Sequence, residues 1–162
     1  MPGFFHKSRK FIEALFGFIG IAMILIETYA VFARNLFKTT ASWSDETLKL
    51  LFVWSIFICS ALAFLSDDLI GLDLLEEKLS ENKKAFTILK TIQYLFAFAL
   101  SAFLSAQGVS MIMTQFATGE VTPVVQYPLW LINVGFLIGS VLTLVFSVYK
   151  IYHVIKDLKR SA

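Results

Sequence analysis

Four long apolar runs dominate this chain of 162 residues and constrain its fold more than any other feature. The hydrocarbon layer of a bilayer is about 30 Å thick, so a spanning helix needs roughly 20 mostly apolar residues. A water-soluble fold with 57% hydrophobic and only 16% charged residues would expose much of its apolar surface to water. The runs therefore predict an all-α integral membrane protein with one domain over residues 1–162 and transmembrane helices near 11–37, 48–65, 85–115 and 129–152.

The connection between the second and third helices, residues 66–84, has a pattern of its own. Its leucines recur at roughly helical spacing, and acidic residues occupy other positions around the same helix. This pattern predicts a short amphipathic helix at the membrane surface, and a solvated helical loop is the alternative.

Basic residues are distributed unevenly among the connections, and this bias predicts the orientation of the chain. Positively charged flanks resist translocation, so they mark the cytoplasmic side. We therefore expect both termini and the 66–84 connection to be cytoplasmic, and residues 38–47 and 117–128 to face outward. The residues that carry this signal are Lys7, Arg9, Lys10, Lys78, Lys83, Lys84, Lys90, Lys150, Lys156, Lys159 and Arg160.

Small residues form two rows at helical spacing. Gly135 and Gly139 are four residues apart in the fourth run, and Ala97 and Ser101 have the same spacing in the third. Helices in lipid associate where small residues let their backbones approach closely. We predict that both rows pack helices within the bundle, and a dimer face is the alternative.

Glu27 and Arg34 are the charges nearest to the hydrocarbon in the first run. A charge at the bilayer centre costs ~2.5–3.5 kcal/mol on insertion scales, so such residues usually have a specific role. Glu27 could be the coupling carboxylate of a small homodimeric cation-coupled exporter. The other interpretation has Glu27 satisfied by a polar or basic group on a partner helix, with Arg34 reaching the headgroups.

The stretch "SWSDETL" stands directly before the second apolar run. With Ser44 as N-cap, Asp45 and Glu46 would occupy the first helical turn, where the helix dipole stabilises an acid by ~0.3–1 kcal/mol. Trp43 and Leu48 have the spacing of a hydrophobic staple. The acids therefore have an explanation from helix capping that requires no catalysis.

Motifs for enzymatic chemistry are missing from the sequence. No H-E-x-x-H, glycine-rich phosphate loop or serine-histidine motif occurs, and no metal site is predicted. The basic residues are spread as topology signals and form no nucleic-acid groove. We expect neither an enzyme nor a nucleic-acid partner.

Three segments resemble the small membrane subunit, the Q subunit, of tripartite ATP-independent periplasmic (TRAP) transporters. The first is "ARNLFKTTASWSDETLKLLFVW", in which an arginine closes helix one and Trp-Ser-acid-Glu leads into the next helix. The second is "DDLIGLDLLEEKL", similar to a His-Ile-x-Val-Asp-Leu-Leu run of the family, although Leu69 stands at the histidine position. The third is the pair Pro128 and Trp130 that begins helix four.

The resemblance implies a scaffold subunit in the bacterial inner membrane. It would belong to a sodium-coupled importer of organic acids such as sialic acid or C4-dicarboxylates. A large elevator-type permease subunit would hold the substrate and sodium, and a periplasmic substrate-binding protein would dock on the complex. This chain would then need no cofactor and no substrate ligands, and its partners would be those two proteins and membrane lipids. Its structural or interface residues would be Arg34, Trp43, Asp45, Glu46 and Asp73.

Overall fold

A computed structural model describes residues 2–39, 41–66 and 83–161. They form four helices, each with a stretch long and apolar enough to cross a membrane. The predicted all-α membrane fold with four spanning helices is confirmed. Asp73 and most of the predicted surface helix lie outside the described residues. The helices are α1 (Pro2–Leu36), α2 (Ser42–Ser66), α3 (Lys83–Thr118) and α4 (Leu129–Ser161).

The helices extend further than the apolar runs that predict them. α2 begins at Ser42 and not near residue 48, because the polar stretch before the run is helical as well. α3 has 36 residues, about 54 Å at 1.5 Å per residue, and so exceeds the thickness of the hydrocarbon layer. Such a helix must tilt or project beyond the bilayer.

The bundle has two ends, which are defined by the helix termini and the connections between them. Residues 37–41 connect α1 to α2, and residues 119–128 connect α3 to α4, at what we call the loop end. α2 ends, α3 begins and α4 ends at the opposite end, which we call the terminal end. α2 and α4 thus run in the same direction, and α1 and α3 run against them.

The fourth helix is the centre of the bundle. Among the described residues, α4 packs along both α2 and α3, and α1 approaches only α2. Side chains with little exposure on α4 include Ile132, Ser140 and Ser147. Most large apolar side chains elsewhere point outward, as expected for surfaces that face lipid.

Two glycines on α4 allow α2 to approach. A Cβ added at Gly135 would lie 2.5 Å from Cδ1 of Trp54, and one added at Gly139 would lie 2.6 Å from the backbone oxygen of Phe57. The Trp54 indole nitrogen also donates a hydrogen bond to the Leu131 carbonyl at 3.0 Å. The Gly135 and Gly139 row therefore contacts α2 of the same chain.

The second row of small residues lies on α3. Ser101 is buried and donates a hydrogen bond to the Phe98 carbonyl of its own helix at 3.1 Å. Ala97 and Ser101 line an apolar groove together with residues of α2 and α4. Gly108 of α3 lies close to α4, since a Cβ added there would be 3.1 Å from Cε1 of Phe136.

We predict that Gly139→Ala destabilises the bundle, because its new methyl group would meet the backbone of Phe57, which cannot move independently of α2. Overpacking of this kind costs about 1–3 kcal/mol. Thermal unfolding of the purified protein in detergent should show a lower midpoint. Gly17→Ala is the matched control, because a Cβ at Gly17 meets nothing within 4 Å. Equal midpoints for the two variants would contradict the proposed packing role of Gly139.

Candidate functional site

The connection between α3 and α4, residues 119–128, is folded into a compact outer loop. Gly119 has a φ of 65°, which glycine adopts without strain, and its N–H donates to the Gln115 carbonyl, ending α3. Thr122 N–H donates to the Tyr127 carbonyl at 2.8 Å, and Leu129 N–H donates to the Glu120 carbonyl at 3.0 Å. These bonds close the outer loop into a hairpin-like turn.

Glu46 attaches the outer loop to α2. Its Oε1 accepts a hydrogen bond from the Val124 N–H at 2.8 Å, and its Oε2 accepts one from the Val125 N–H at 2.7 Å. The residue is only 9% exposed. A carboxylate that accepts two backbone N–H bonds fixes both the position and the orientation of the segment that donates them, because each oxygen has its own donor. Glu46 therefore connects two segments that are 78 residues apart in sequence.

The start of α2 differs from the prediction at Ser44. Ser44 lies inside the helix, and its hydroxyl donates to the Ala41 carbonyl at 2.6 Å, so the prediction of Ser44 as N-cap is wrong. The cause is that the helix begins at Ser42 and already includes Trp43 and Ser44. Asp45 lies in the first turn, as expected, where its negative charge interacts favourably with the partial positive charge of the helix N-terminus.

The aromatic and basic residues of the motif lie around the same end. Trp43 is 41% exposed, and its ring centroid is 6.1 Å from that of Tyr29 on α1. Arg34 is exposed in the last turn of α1. Lys38, with a φ of 49°, turns the chain between the two helices. Trp43 and Glu46 therefore lie at the loop end but have different neighbours.

Lys150 forms a second interhelical site, near the terminal end, that the sequence had indicated only as an orientation signal. Its ammonium donates to the Phe64 carbonyl at 2.6 Å and lies 5.0 Å from the Phe64 ring centroid and 5.3 Å from that of Tyr94. Lys150 is 7% exposed. A cation among two aromatic faces and a carbonyl in the last turn of a helix is well satisfied. The side chain thus joins α4 to both α2 and α3.

An amide pair joins α3 to α4 nearer the loop end. The Asn133 side-chain nitrogen donates to the Gln115 side-chain oxygen at 2.7 Å. Phe116 and Trp130 pack edge to face beside this pair, with ring centroids 6.1 Å apart. Amide pairing across helices could have been considered from the sequence, but no spacing rule identifies which residue on a second helix is the partner.

Glu27 lies apart from these bonded sites. It is exposed and lines an open groove between α1 and α2 together with Asp45 and Lys49. Within the described part of the chain, its carboxylate has no hydrogen bond or ion pair. The structure therefore does not bring Glu27 together with Arg34 or Glu46.

Four spanning helices, with polar side chains used mainly in contacts within the bundle, define a multi-pass membrane protein. The model of the family described as tripartite ATP-independent periplasmic transporters, DctQ component, matches residues 23–157. The chain belongs to this family and is a small membrane component of a TRAP transporter. No individual curated protein matches the chain closely. The match includes all of α2 and α3 and the outer loop.

Membership of this family indicates the partners and the general class of the protein. DctQ components work with a large permease and a substrate-binding protein, and they belong to a transporter family and not to an enzyme family. The protein is a multi-pass protein of the inner membrane.

We predict that Glu46→Ala releases the outer loop, because the Val124 and Val125 amides lose their acceptors. Hydrogen bonds to a charged group contribute ~1.5–3 kcal/mol, so loop opening should become at least about tenfold more frequent. Hydrogen–deuterium exchange measured on a peptide covering the outer loop would detect this as faster exchange. Glu120→Ala is the control, because Glu120 is exposed in the same loop. Unchanged exchange in Glu46→Ala would contradict the assignment.

We also predict that Lys150→Met lowers the thermal stability of the bundle. Methionine keeps much of the apolar stem but removes the ammonium, so the Phe64 carbonyl loses its donor and both rings lose their cation, at a cost of about 1.5–3 kcal/mol. Unfolding in detergent is the measurement, and Lys156→Met, at an exposed position of the same helix, is the control. A fall in stability of the same size in both variants would show that burial of Lys150 contributes nothing.

Proposed function

We propose that this protein is the scaffold subunit of a sodium-coupled importer of organic acids, with sialic acid and C4-dicarboxylates as the candidate substrate classes. A large elevator-type permease subunit carries the substrate and the sodium. The present chain provides a fixed support in the membrane for that subunit and needs no cofactor of its own. A periplasmic substrate-binding protein docks partly on its loop end.

The observation that carries the proposal is how the bundle uses its polar groups. Glu46 binds the outer loop, Lys150 binds the end of α2, and Asn133 binds Gln115. A midplane transport site in a secondary transporter is typically built from interrupted helices and converging polar groups. α2, α3 and α4 are continuous, so these bonds support a static role over a moving one.

The loop end supports the docking part of the proposal. Val121 and Val124 are each about half exposed on the outer loop, at 51% and 52%, although the loop is held by Glu46. Trp43 adds an exposed aromatic ring at the same end. Apolar side chains on a fixed loop, rimmed by polar residues, are typical of a protein-binding surface.

The orientation follows from the same proposal. The basic residues near the terminal end keep that end and both termini in the cytoplasm. The loop end then faces the periplasm, where a binding protein can reach it. Arg34, Trp43, Asp45 and Glu46 are structural or interface residues on this side, and Asp73 has the same role on the cytoplasmic side.

We predict that Glu46→Gln impairs docking or assembly of the complex without affecting sodium binding. Glutamine offers one acceptor and places an N–H₂ group against the second backbone donor, so the outer loop loses its fixed position. The complex with the cognate large subunit, reconstituted in liposomes, should show reduced uptake of the organic acid at limiting binding protein. Sodium binding to the purified complex should stay unchanged.

Two results would contradict the proposal. A complex of normal stability in which Glu46→Gln abolishes sodium binding would place this chain at the ion site. Proton-coupled export by this chain alone in liposomes, abolished by Glu27→Gln, would identify the exporter that is the alternative function. Glu120→Gln is the control for the sodium-binding and proton-export measurements, because it removes a carboxylate charge at an exposed position away from Glu46 and Glu27.

A further inference from the structure

An open apolar groove separates α1 from α2 along part of their length. It has a volume of about 680 Å³, and its lining includes Gly20, Met23 and Glu27 of α1 and Asp45 and Lys49 of α2. Of the α1 side chains that the structure describes, Ala30 and Ala33 are buried, and both lie near the loop end. A Cβ added at Gly20 would meet nothing within 4 Å. α1 therefore contacts α2 near the loop end and leaves an uncovered surface further along.

Three charged side chains line this groove. Glu27 and Asp45 are acidic and Lys49 is basic, so the formal charge of the lining is −1. None of the three side chains has a hydrogen bond or ion pair with another part of the described chain. The groove thus differs from the contacts at Glu46 and Lys150, where each charge is satisfied within the bundle.

The depth of these groups makes their lack of partners significant. Glu27 lies nine residues before the end of α1, or about 13 Å along a helix with a rise of 1.5 Å per residue. Lys49 lies seven residues after the start of α2, or about 10 Å, and is thus at a similar depth. A charged group inside the hydrocarbon is destabilising unless it is paired. Asp45 lies in the first turn of α2, one turn before Lys49 on the same helix, so the charge of Lys49 balances that of Asp45 and Glu27 is the acid left without a counter-charge.

We infer that a transmembrane helix of the large permease subunit occupies the α1–α2 groove and places one lysine or arginine side chain against Glu27. The inference rests on the proposed function, which supplies that partner. Charge complementarity identifies the chemistry, because a groove with one excess negative charge is satisfied by one cation. Glu27 is then a residue that positions the two subunits relative to each other.

Other occupants satisfy the groove less well. The acyl chains of a phospholipid carry no cation, and its headgroup lies near the membrane surface and not at the depth of Glu27. A second copy of this chain related by two-fold symmetry would bring another groove with the same net charge, which disfavours the pairing electrostatically. A cation at this depth comes most directly from a side chain on a neighbouring helix.

The first experiment measures retention of the large subunit on the immobilised small subunit after coexpression and detergent extraction. Interhelical polar pairs in membranes contribute modestly, so Glu27→Gln should weaken retention by about threefold to tenfold. Glu120→Gln, which removes an equivalent charge from the outer loop, should leave retention unchanged. Equal retention by Glu27→Gln and the unmodified chain would overturn the inference and leave the proposed function intact.

The second experiment does not depend on folding of the Glu27 variant. A photoreactive benzoylphenylalanine is placed at Met23, in the groove, or at Met113, an exposed control position on α3. Irradiation of the complex should crosslink position 23 to the large subunit at a severalfold higher yield than position 113. Crosslinks from position 23 only to lipid, or to a second copy of this chain, would overturn the inference.

A last outcome separates the inference from the function on which it rests. If the unmodified chain retains no large subunit in any detergent and forms no crosslink to it from either position, the scaffold proposal itself is wrong. If the large subunit is retained but crosslinks only from position 113, the scaffold proposal stands and the groove is not its binding surface.

Discussion

The close approach of α2 to α4 is the contact on which the hydrogen bonds of Trp54, Glu46 and Lys150 depend. Apolar helices gain little from association in lipid unless their surfaces fit, because the surrounding chains are equally apolar. Gly135 and Gly139 provide that fit by leaving space for the Trp54 ring and the Phe57 backbone. This spacing brings the Trp54 indole within hydrogen-bonding distance of the Leu131 carbonyl. Any larger side chain on this face of α4 would move α2 away from its polar partners.

Two charged side chains form contacts at opposite ends of α2 that depend on its close approach to α4. Glu46, near the start of α2, binds the backbone of the outer loop that precedes α4, and Lys150 of α4 binds a carbonyl in the last turn of α2. Both charges are nearly buried. The free-energy cost of their desolvation is offset by hydrogen bonds with backbone groups and, for Lys150, by contacts with aromatic rings. The pair fixes the relative position of α2 and α4 along their length, so that sliding of one helix would break contacts at both ends.

The first helix stands in contrast to this bonded core. α1 approaches only α2, and most of its large apolar side chains are exposed. Its carboxylate at Glu27 has no partner in the described part of the chain, whereas Glu46 accepts hydrogen bonds from two backbone amides. A core in which α4 packs along both α2 and α3, with one less enclosed helix beside it, suits a subunit that keeps its own shape and offers a surface to another membrane protein. Membership of the DctQ family gives that arrangement a function in transport.

The sequence by itself determined the class of the protein. Four runs of apolar residues are a local property, and the thickness of the bilayer converts their length directly into spanning helices. The motif around Trp43 and Glu46 pointed to the correct transporter family for the same reason, since it is contiguous in the chain. Ser44 was misassigned because the apolar pattern starts later than the helix, and backbone hydrogen bonds, not hydropathy, set where a helix begins.

Only the tertiary structure decided what the polar residues contact. Glu46 was predicted as a first-turn acid, but its partners at Val124 and Val125 are far away in the chain, and no periodicity predicts a contact between an acid and distant backbone amides. Lys150 served as an orientation signal in the sequence, whereas its contacts with Phe64 and Tyr94 depend on how three helices converge. The sequence determines which segments enter the membrane, because the hydropathy of a segment is a sum over neighbouring residues. Partner choice depends on three-dimensional packing, which is fixed only when the helices meet.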